Sequence, residues 1–293
     1  MLGAPDDNFE EFVSNWDLFK DRIVVFLGAG ASVGAKNSSG EWLPNAYELR
    51  NRLWEHFKHD KSKPFDPAEL KLMSLEHAAS IIEAKIGRDE LARYLSSAFK
   101  CEKPLWSHIA LPHLSPRSVF TTNYDELVEL GYKQHDALYD VICDDRMPTS
   151  GRVPLYKPHG SLSHSNQLVG HGGLVITQFD YFDMISKYRN MLKKTITGFG
   201  QTCVVVIGYS FGDMDIGSEL YELRRQNAGT PWYTIFPRAD PLVRRMYTNR
   251  LKIEQINRTF EDFLADLDDR VNFLPAHAKY LMKDQLQREG RIQ

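Results

Sequence analysis

The chain has few cysteines, and no two of them are close together in sequence. Cys101, Cys143 and Cys203 are its three cysteines, spread over 293 residues. A common type of structural zinc site uses four thiolates in two close pairs, and this sequence excludes it. No disulfide framework is evident either, so a reducing cytoplasm is the expected location.

Long apolar runs and a strong charge imbalance are also absent. No uninterrupted stretch approaches the roughly 18 apolar residues of a membrane helix, so no membrane association is expected. The acidic, polar first ten residues do not resemble a secretory signal. A net charge of −3 does not favour a dedicated nucleic-acid binder, so direct nucleic-acid binding is not expected. The hydrophobic fraction of 42% is enough for one large domain or a domain with an inserted lobe.

A third absence is a glycine at position 33. The apolar run 23–27 ends in Gly-Ala-Gly-Ala-Ser at 28–32, which is typical of a buried parallel strand entering a phosphate-binding turn. We expect the N–H groups of this turn and of the following helix to point at a bound pyrophosphate. The fingerprint of hydride-transfer enzymes requires a third glycine where this chain has Val33, and Glu48 lies in an amphipathic helix rather than at a strand end. A dehydrogenase is therefore disfavoured, and close strand–helix packing remains an alternative role for the glycines.

Three further apolar runs end in polar, turn-prone residues. They lead to Thr122-Asn123-Tyr124-Asp125, to Pro158-His159-Gly160-Ser161 and to Gly208-Tyr209-Ser210. In an open parallel sheet, ligands bind beyond the carboxyl ends of the strands. We therefore expect all four tips to surround one cavity of the size of a dinucleotide.

In order, these four motifs resemble those of the sirtuin family. The resemblance covers roughly residues 20–215 and consists of Gly-Ala-Gly-Ala-Ser, Thr-x-Asn-x-Asp, His-Gly and Gly-x-Ser. The Thr-Thr-Asn-Tyr-Asp and Gly-Tyr-Ser-Phe-Gly-Asp segments look like a divergent prokaryotic branch rather than protein deacylases. Deacylase sirtuins carry a zinc module that helps to build the acyl-lysine groove, and three isolated cysteines cannot form it in its usual form. The resemblance thus implies NAD as the substrate and no metal.

The pattern and the resemblance together predict an α/β fold. We expect a Rossmann-like parallel sheet with helices on both faces, plus a mainly helical inserted lobe. The NAD-binding domain is predicted over 1–44 and 115–275, the helical lobe over 45–114 and a C-terminal helix over 276–293. Single elements predicted within these limits are a helical face over 8–19, a connector over 61–67, a loop over 140–152, a helix over 178–200 and helices after a strand at 231–236.

The predicted catalytic residues are Asn123, His159 and Asp125. Cleaving the nicotinamide–ribose bond needs a held geometry, excluded solvent and a positioned nucleophile. The Asn123 amide can donate and accept, and by the resemblance it orients a water on the ribose face. His159 is the candidate general base for a ribose hydroxyl or water, and Asp125 would fix the loop or bond the nicotinamide carboxamide region. The alternatives are a turn role for Asn123 and a structural strand-end role for His159.

The other predicted site residues would bind the dinucleotide. The turn at 28–32 would hold the pyrophosphate, and the 208–210 tip would approach the adenosine ribose and phosphate. Sirtuins usually place an asparagine after a late strand to meet this ribose, and here Pro237 and Arg238 stand near its place, so the adenosine-side contacts are left open. The complete predicted binding set is Gly28, Ala29, Gly30, Ala31, Ser32, Thr122, Gly208 and Ser210.

The resemblance implies an NAD glycohydrolase that releases nicotinamide and ADP-ribose. Water becomes the acceptor because little remains to recognise an acylated lysine. Such an enzyme would deplete cellular NAD, so we expect a gated effector of prokaryotic antiviral defence by abortive infection. The gate would be homo-oligomerisation or a partner, and ring-shaped DNA-translocase ATPases and Argonaute-type proteins are familiar partners in this branch. The alternatives are a non-catalytic NAD or ADP-ribose-binding assembly module, and an NAD-dependent deacylase or ADP-ribosyltransferase. The trigger, the stoichiometry and a cyclic product are left open.

Overall fold

A parallel sheet of seven strands is the centre of the molecule. The computed structural model describes residues 7–57, 73–187, 203–211, 214–226, 229–237, 241–288 and 290–291. The strand order is β3-β4-β2-β1-β5-β6-β7, and all neighbouring pairs are parallel. The strands are β1 Val24–Leu27, β2 Ser118–Thr121, β3 Tyr139–Ile142, β4 Val153–Tyr156, β5 Val204–Ile207, β6 Trp232–Ile235 and β7 Glu254–Ile256.

Helices cover both faces of this sheet and form a separate cluster on one side. The described helices are α1 Asp7–Ser14, α2 Trp16–Phe19, α3 Ala46–Phe57, α4 Leu75–Ile86, α5 Arg88–Phe99, α6 Trp106–Ala110, α7 Leu127–Lys133, α8 Gln178–Lys187, α9 Met214–Gln226, α10 Pro241–Met246, α11 Phe260–Val271 and α12 Ala276–Arg288. One-turn 3-10 helices occur at Ala29–Ser32, Leu111–Leu114 and Leu162–His164. The predicted α/β class, with helices on both faces, is therefore confirmed.

The central strands are apolar throughout because both faces of the sheet are covered. Alternate side chains of β1 enter two different cores. Val25 and Leu27 pack with α1, α11 and α12, whereas Val24 and Phe26 pack with α9. The Phe26 ring also stacks on that of Phe120 in β2, with centroids 4.7 Å apart. This double burial holds the carboxyl ends of β1, β2 and β5 side by side.

The helical cluster of α3, α4 and α5 has its own core, lined by Leu53, Ile82 and Leu95. Ser74 caps α4 by accepting a hydrogen bond from the His77 N–H group. This core extends to Tyr124, which directly follows the Asn123 strand tip. The helical cluster is thereby packed against the predicted site.

Two strands occur where the sequence predicted none. β3 lies partly within the predicted loop 140–152, and β7 lies among the predicted terminal helices. Both stand at an edge of the sheet and have only three or four residues. The other strands are equally short, but these two contain Asp140, Glu254 and Gln255 and so lack a continuous apolar run.

The predicted helical face over 8–19 is divided between α1 and α2. The side chains of Ser14 and Asn15 both donate to the backbone carbonyl of Glu11, and such local bonds compete with helix continuation. The predicted helix over 178–200 is observed as α8, which is described as far as Lys187, and the predicted connector over 61–67 lies outside the described residues. None of the helices in the described ranges combines the length and the apolar character that a bilayer crossing requires.

Candidate active site

A cavity of about 650 Å³ lies at the carboxyl edge of the sheet. This volume is within the range of small-molecule sites. All four predicted strand tips reach it or stand directly behind it. The predicted site residues that line it are Ala29, Ser32, Thr122, Asn123, Asp125, His159, Gly208 and Ser210, whereas Gly28, Gly30 and Ala31 are not among the lining residues.

The glycines of the first tip serve backbone packing. A Cβ on Gly30 would lie 2.6 Å from the Cα of Gly208, and one on Gly28 would lie 2.6 Å from the Gly208 carbonyl oxygen. Gly208 has a φ of +62°, and a Cβ there would lie 2.4 Å from the Ala31 nitrogen. The β1 and β5 tips therefore cross at a distance that only glycine permits. We call this contact the glycine crossing.

The N–H groups of this turn do not point as the sequence predicted. Gly28 donates to the Ile207 carbonyl, Gly30 donates to the Gly208 carbonyl at 2.9 Å, and Ala31 donates to the Gly28 carbonyl. The glycine turn continues as a single 3-10 turn, Ala29–Ser32, instead of an α-helix. The expectation that the N–H groups of Gly28 and Gly30 point into the site was therefore wrong, because both donate to backbone carbonyls of the β5 tip. Ala29 and Ser32 are the residues through which this turn lines the cavity.

Two hydrogen bonds from its amide nitrogen fix the orientation of the Asn123 side chain. The Nδ2 group donates to the Gly28 carbonyl and to the Ser32 Oγ, both at 3.0 Å. Ser32 Oγ in turn donates to Asp125 Oδ2 at 2.8 Å, while Asp125 Oδ1 accepts the Leu127 N–H group. Both amide hydrogens of Asn123 are therefore engaged, and Oδ1 remains to accept from a molecule in the cavity. Ser32 and Asp125 are buried and fix this arrangement.

A buried ion pair supports the same loop from behind. Lys157, which is fully buried, donates to Glu129 Oε1 at 2.9 Å and to the Asp125 carbonyl at 2.6 Å. Burial disfavours the charged form of Lys157, but the neighbouring Glu129 and Asp125 carboxylates hold its pKa above the ordinary value. The charged ammonium group thus anchors the loop that carries Asn123.

His159 lies in the turn after β4, with only 3% of its surface exposed. Its ring stands edge-on to that of Tyr181, with centroids 5.4 Å apart. Its carbonyl accepts the Val175 N–H group, and the Val175 carbonyl accepts the Tyr124 hydroxyl. The backbone of His159 is thereby connected to the Asn123 loop, so both residues face the cavity in a fixed relation.

Residues 117–257, which carry three of the four tips, match the SIR2-like domain family. This segment is similar to SIR2-like domains. Defense-associated sirtuin 2 from Bacillus subtilis is 23% identical over 225 residues, which cover 75% of this chain and 21% of that protein. The chain thus spans about a fifth of the length of this curated relative.

Two solved structures align with most of the chain. A Sir2 homologue in complex with NAD has a TM-score of 0.51 at 15% identity, covering 93% of this chain and 94% of that chain. A second structure, from a study of the mechanism and regulation of Sir2 enzymes, has a TM-score of 0.47 at 15% identity, covering 91% and 98%. The likeness to the NAD complex shows a Rossmann-like sirtuin fold, in agreement with the observed sheet.

Several residues that line or support the cavity were not predicted from the sequence. Lys157 was overlooked because a lone lysine after a strand has no distinctive spacing, although a charged residue between two buried segments was a usable signal. The helical cluster and the segment directly before α3 also contribute a cavity wall that no motif indicates. The main residues of this wall are Trp42, Leu43, Pro44, Asn45, Glu48, Leu49, Leu75, Glu76 and Phe99.

Proposed function

We propose that this protein is an NAD glycohydrolase that releases nicotinamide and ADP-ribose. The observation that carries the proposal is the joint placement of Asn123 and His159 on one cavity, with Asn123 oriented by Ser32 and Gly28. The similarity to a Sir2 homologue that binds NAD supports NAD as the substrate. A zinc module of four cysteines cannot form from three separate ones, which favours water over an acylated lysine as acceptor.

The reaction places few chemical demands on the protein. The nicotinamide leaves as a neutral base when its bond to the ribose breaks, so no general acid is needed. The positive charge that develops on the ribose is met by a nucleophile from the opposite side. Catalysis then rests on orientation and on the exclusion of bulk solvent.

Asn123 orients the attacking water in this scheme. Its Nδ2 group is already engaged with the Gly28 carbonyl and Ser32, so the carbonyl oxygen Oδ1 accepts a hydrogen bond from the water. A water that donates to Oδ1 presents its lone pair to the ribose. Asp125 acts as a positioning residue through Ser32, because its carboxylate is bound to the Ser32 hydroxyl and to a backbone N–H group.

His159 accepts the proton that the reaction releases. Imidazole has an ordinary pKa close to neutrality and suits proton transfer from a ribose hydroxyl or from the water. Such a group typically contributes about 10²–10⁴-fold to the rate. The edge-on contact with Tyr181 restricts the orientation of the ring.

The biological role follows from the same proposal. An enzyme that consumes NAD would harm its own cell unless it were gated. The similarity to a defence-associated sirtuin supports a role as a gated effector of antiviral defence. Self-assembly or a regulatory partner, such as a ring-shaped ATPase or an Argonaute-type protein, would supply the gate.

The test is to incubate the purified chain with NAD and to follow nicotinamide and ADP-ribose by chromatography. The assay is run at low and high protein concentration and with the protein encoded beside it. We expect release without any protein substrate in at least one of these conditions, and a loss of at least 100-fold in both Asn123→Ala and His159→Gln. His56→Gln, an exposed histidine of α3, is the matched control and should retain activity.

The other outcomes separate the competing functions. Tight NAD binding without turnover in every condition would support a non-catalytic assembly module. Turnover only with an acylated peptide would support a deacylase. Full activity in both site variants would remove the roles proposed for Asn123 and His159.

A further inference from the structure

Three histidines from distant parts of the chain meet on the side of the sheet opposite to the cavity. His113 lies in the 3-10 turn shortly before β2, His135 lies between α7 and β3, and His277 is near the start of α12. One ring nitrogen of each lies within 4.8 Å of those of the other two. Since the first two positions precede strands β2 and β3, the cluster belongs to the amino edge of the sheet.

The tautomer of His135 is set by a backbone carbonyl. His135 Nε2 lies 2.9 Å from the Ile109 carbonyl oxygen, which can only accept, so Nε2 carries the hydrogen. The lone pair is therefore on Nδ1, and this atom lies 3.1 Å from His277 Nε2. A ligand histidine in a metal site is commonly oriented in this way, with its second nitrogen bound to a carbonyl.

His113 supplies a second lone pair. Its Nε2 atom is buried and has no hydrogen-bond partner within the described part of the chain. Its ring stands edge-on to those of His135 and His277, with centroids 4.4 Å and 5.6 Å away. A buried nitrogen without a partner is costly for the fold unless something binds it.

We propose that His113, His135 and His277 bind one Zn²⁺ ion, with solvent as the fourth ligand. Neutral imidazoles are good ligands for Zn²⁺. Zn–N bonds of about 2.0–2.1 Å in a tetrahedral site place the nitrogens roughly 3.3 Å apart, so small ring rotations complete the geometry. The exposed side chain of His277 can make such a rotation and gives the ion a path from solvent.

The proposed ion would connect three segments that are distant in sequence. It would tie α12 to the segment before β2 and to the turn after α7, which stabilises the amino edge of the sheet. This site is separate from the cavity and does not depend on the proposed NAD chemistry. It also departs from the sequence-based expectation of no metal, which considered cysteine pairs and the family resemblance only.

The test uses the full chain without a histidine tag, stripped of metal with a chelator. Zn²⁺ is titrated in competition with a chromophoric chelator, and the melting temperature is followed in parallel. We expect one equivalent of Zn²⁺ with a Kd of about 1 μM or tighter. At a hundredfold excess over Kd, Tm should rise by about 5 °C. Co²⁺ in place of Zn²⁺ should give the intense visible bands of tetrahedral coordination.

Variants of the three histidines decide the assignment. His277→Ala removes an exposed ligand, so the protein should fold, lose at least tenfold in Zn²⁺ affinity and lose most of the Tm rise. His113→Ala and His135→Ala should do the same if they fold. His77→Ala, an exposed histidine of α4, should bind Zn²⁺ normally. Absence of stoichiometric binding, or equal affinity in His277→Ala, would overturn the proposal.

Discussion

The two edges of the sheet accommodate buried titratable groups in opposite ways. At the carboxyl edge, Lys157 stays charged because Glu129 and two backbone carbonyls surround it. At the amino edge, burial lowers the pKa of His113 to about 4, and it lowers that of His108 in α6 to about 4 as well, so these rings stay neutral. A dry interior keeps a charge only where a partner is built beside it. The ion pair therefore fixes the position of polar groups at the carboxyl edge, whereas the neutral histidines offer nitrogen lone pairs.

The largest expected effect comes from separating the buried ion pair. Glu129→Ala leaves Lys157 charged and without its carboxylate, so we expect the free energy of unfolding to fall by about 3–5 kcal/mol. Denaturant unfolding measures this change. The double variant Glu129→Leu with Lys157→Met should recover most of the loss, and a loss below about 1 kcal/mol in the single variant would contradict a charged pair.

A somewhat smaller effect is expected at the glycine crossing. Gly208→Ala combines a left-handed backbone with a Cβ placed 2.4 Å from the Ala31 nitrogen. We expect a loss of about 3 kcal/mol in the free energy of unfolding. Gly151→Ala is the matched control, since Gly151 also has a positive φ of +77° but nothing lies within 4 Å of its Cβ position. Equal losses in both variants would show that the crossing adds nothing beyond backbone strain.

The neutral histidines predict a loss of stability in acid. His108 has a pKa of about 4 in the folded chain, mainly because of burial, against about 6.5 when unfolded. The unfolded chain binds the proton first as the pH falls, so the contribution of His108 is present above pH 6.5 and is lost towards pH 4. We expect a loss of about 2 kcal/mol between pH 7 and pH 5.

The variant His108→Leu isolates this term. The unfolding free energy of the unchanged chain minus that of His108→Leu should fall by about 2 kcal/mol between pH 7 and pH 5. A constant difference across this range would mean that His108 is protonated in the folded state.

The smallest expected effect concerns the orientation of Asn123. Ser32→Ala removes the hydroxyl that connects Asn123 to Asp125. If the proposed NAD cleavage is correct, kcat should fall about tenfold while KM changes little, since an orienting contact of about 1.4 kcal/mol is lost. Ser107→Ala, a buried serine bound to Glu261 away from the cavity, should leave kcat unchanged. A change in KM alone would instead indicate that Ser32 acts in ground-state binding.

Much of the sheet and the meeting of its polar tips was predictable from sequence. Buried parallel strands are continuous apolar runs, and topology brings their carboxyl ends to one edge. The edge strands β3 and β7 were not predictable, because polar residues interrupt their apolar runs. The direction of the N–H groups at Gly28 and Gly30 was predicted wrongly, because it depends on the Ile207 and Gly208 carbonyls at the end of a strand about 180 residues away.

The polar residues that support the site could not be predicted from sequence patterns either. Lys157 and Glu129 are separated by 28 positions and become a pair only through the packing of α7 on β4. The three histidines are more widely spread, with 142 positions between His135 and His277. Spacing rules detect local ligand sets and give no signal for residues that only tertiary structure assembles.

The glycine crossing has a consequence for how a molecule enters the cavity. The hydrogen bond from Gly30 to the Gly208 carbonyl would break if the two strand tips moved apart, and the backbone there has no side chains to rearrange. Widening of the cavity is therefore easier at the wall formed by the helical cluster and the segment before it, where the Trp42 side chain is 57% exposed. The side of the cavity at the glycine crossing is thus rigid, whereas the opposite wall can adjust. The two sides pack on different hydrophobic cores.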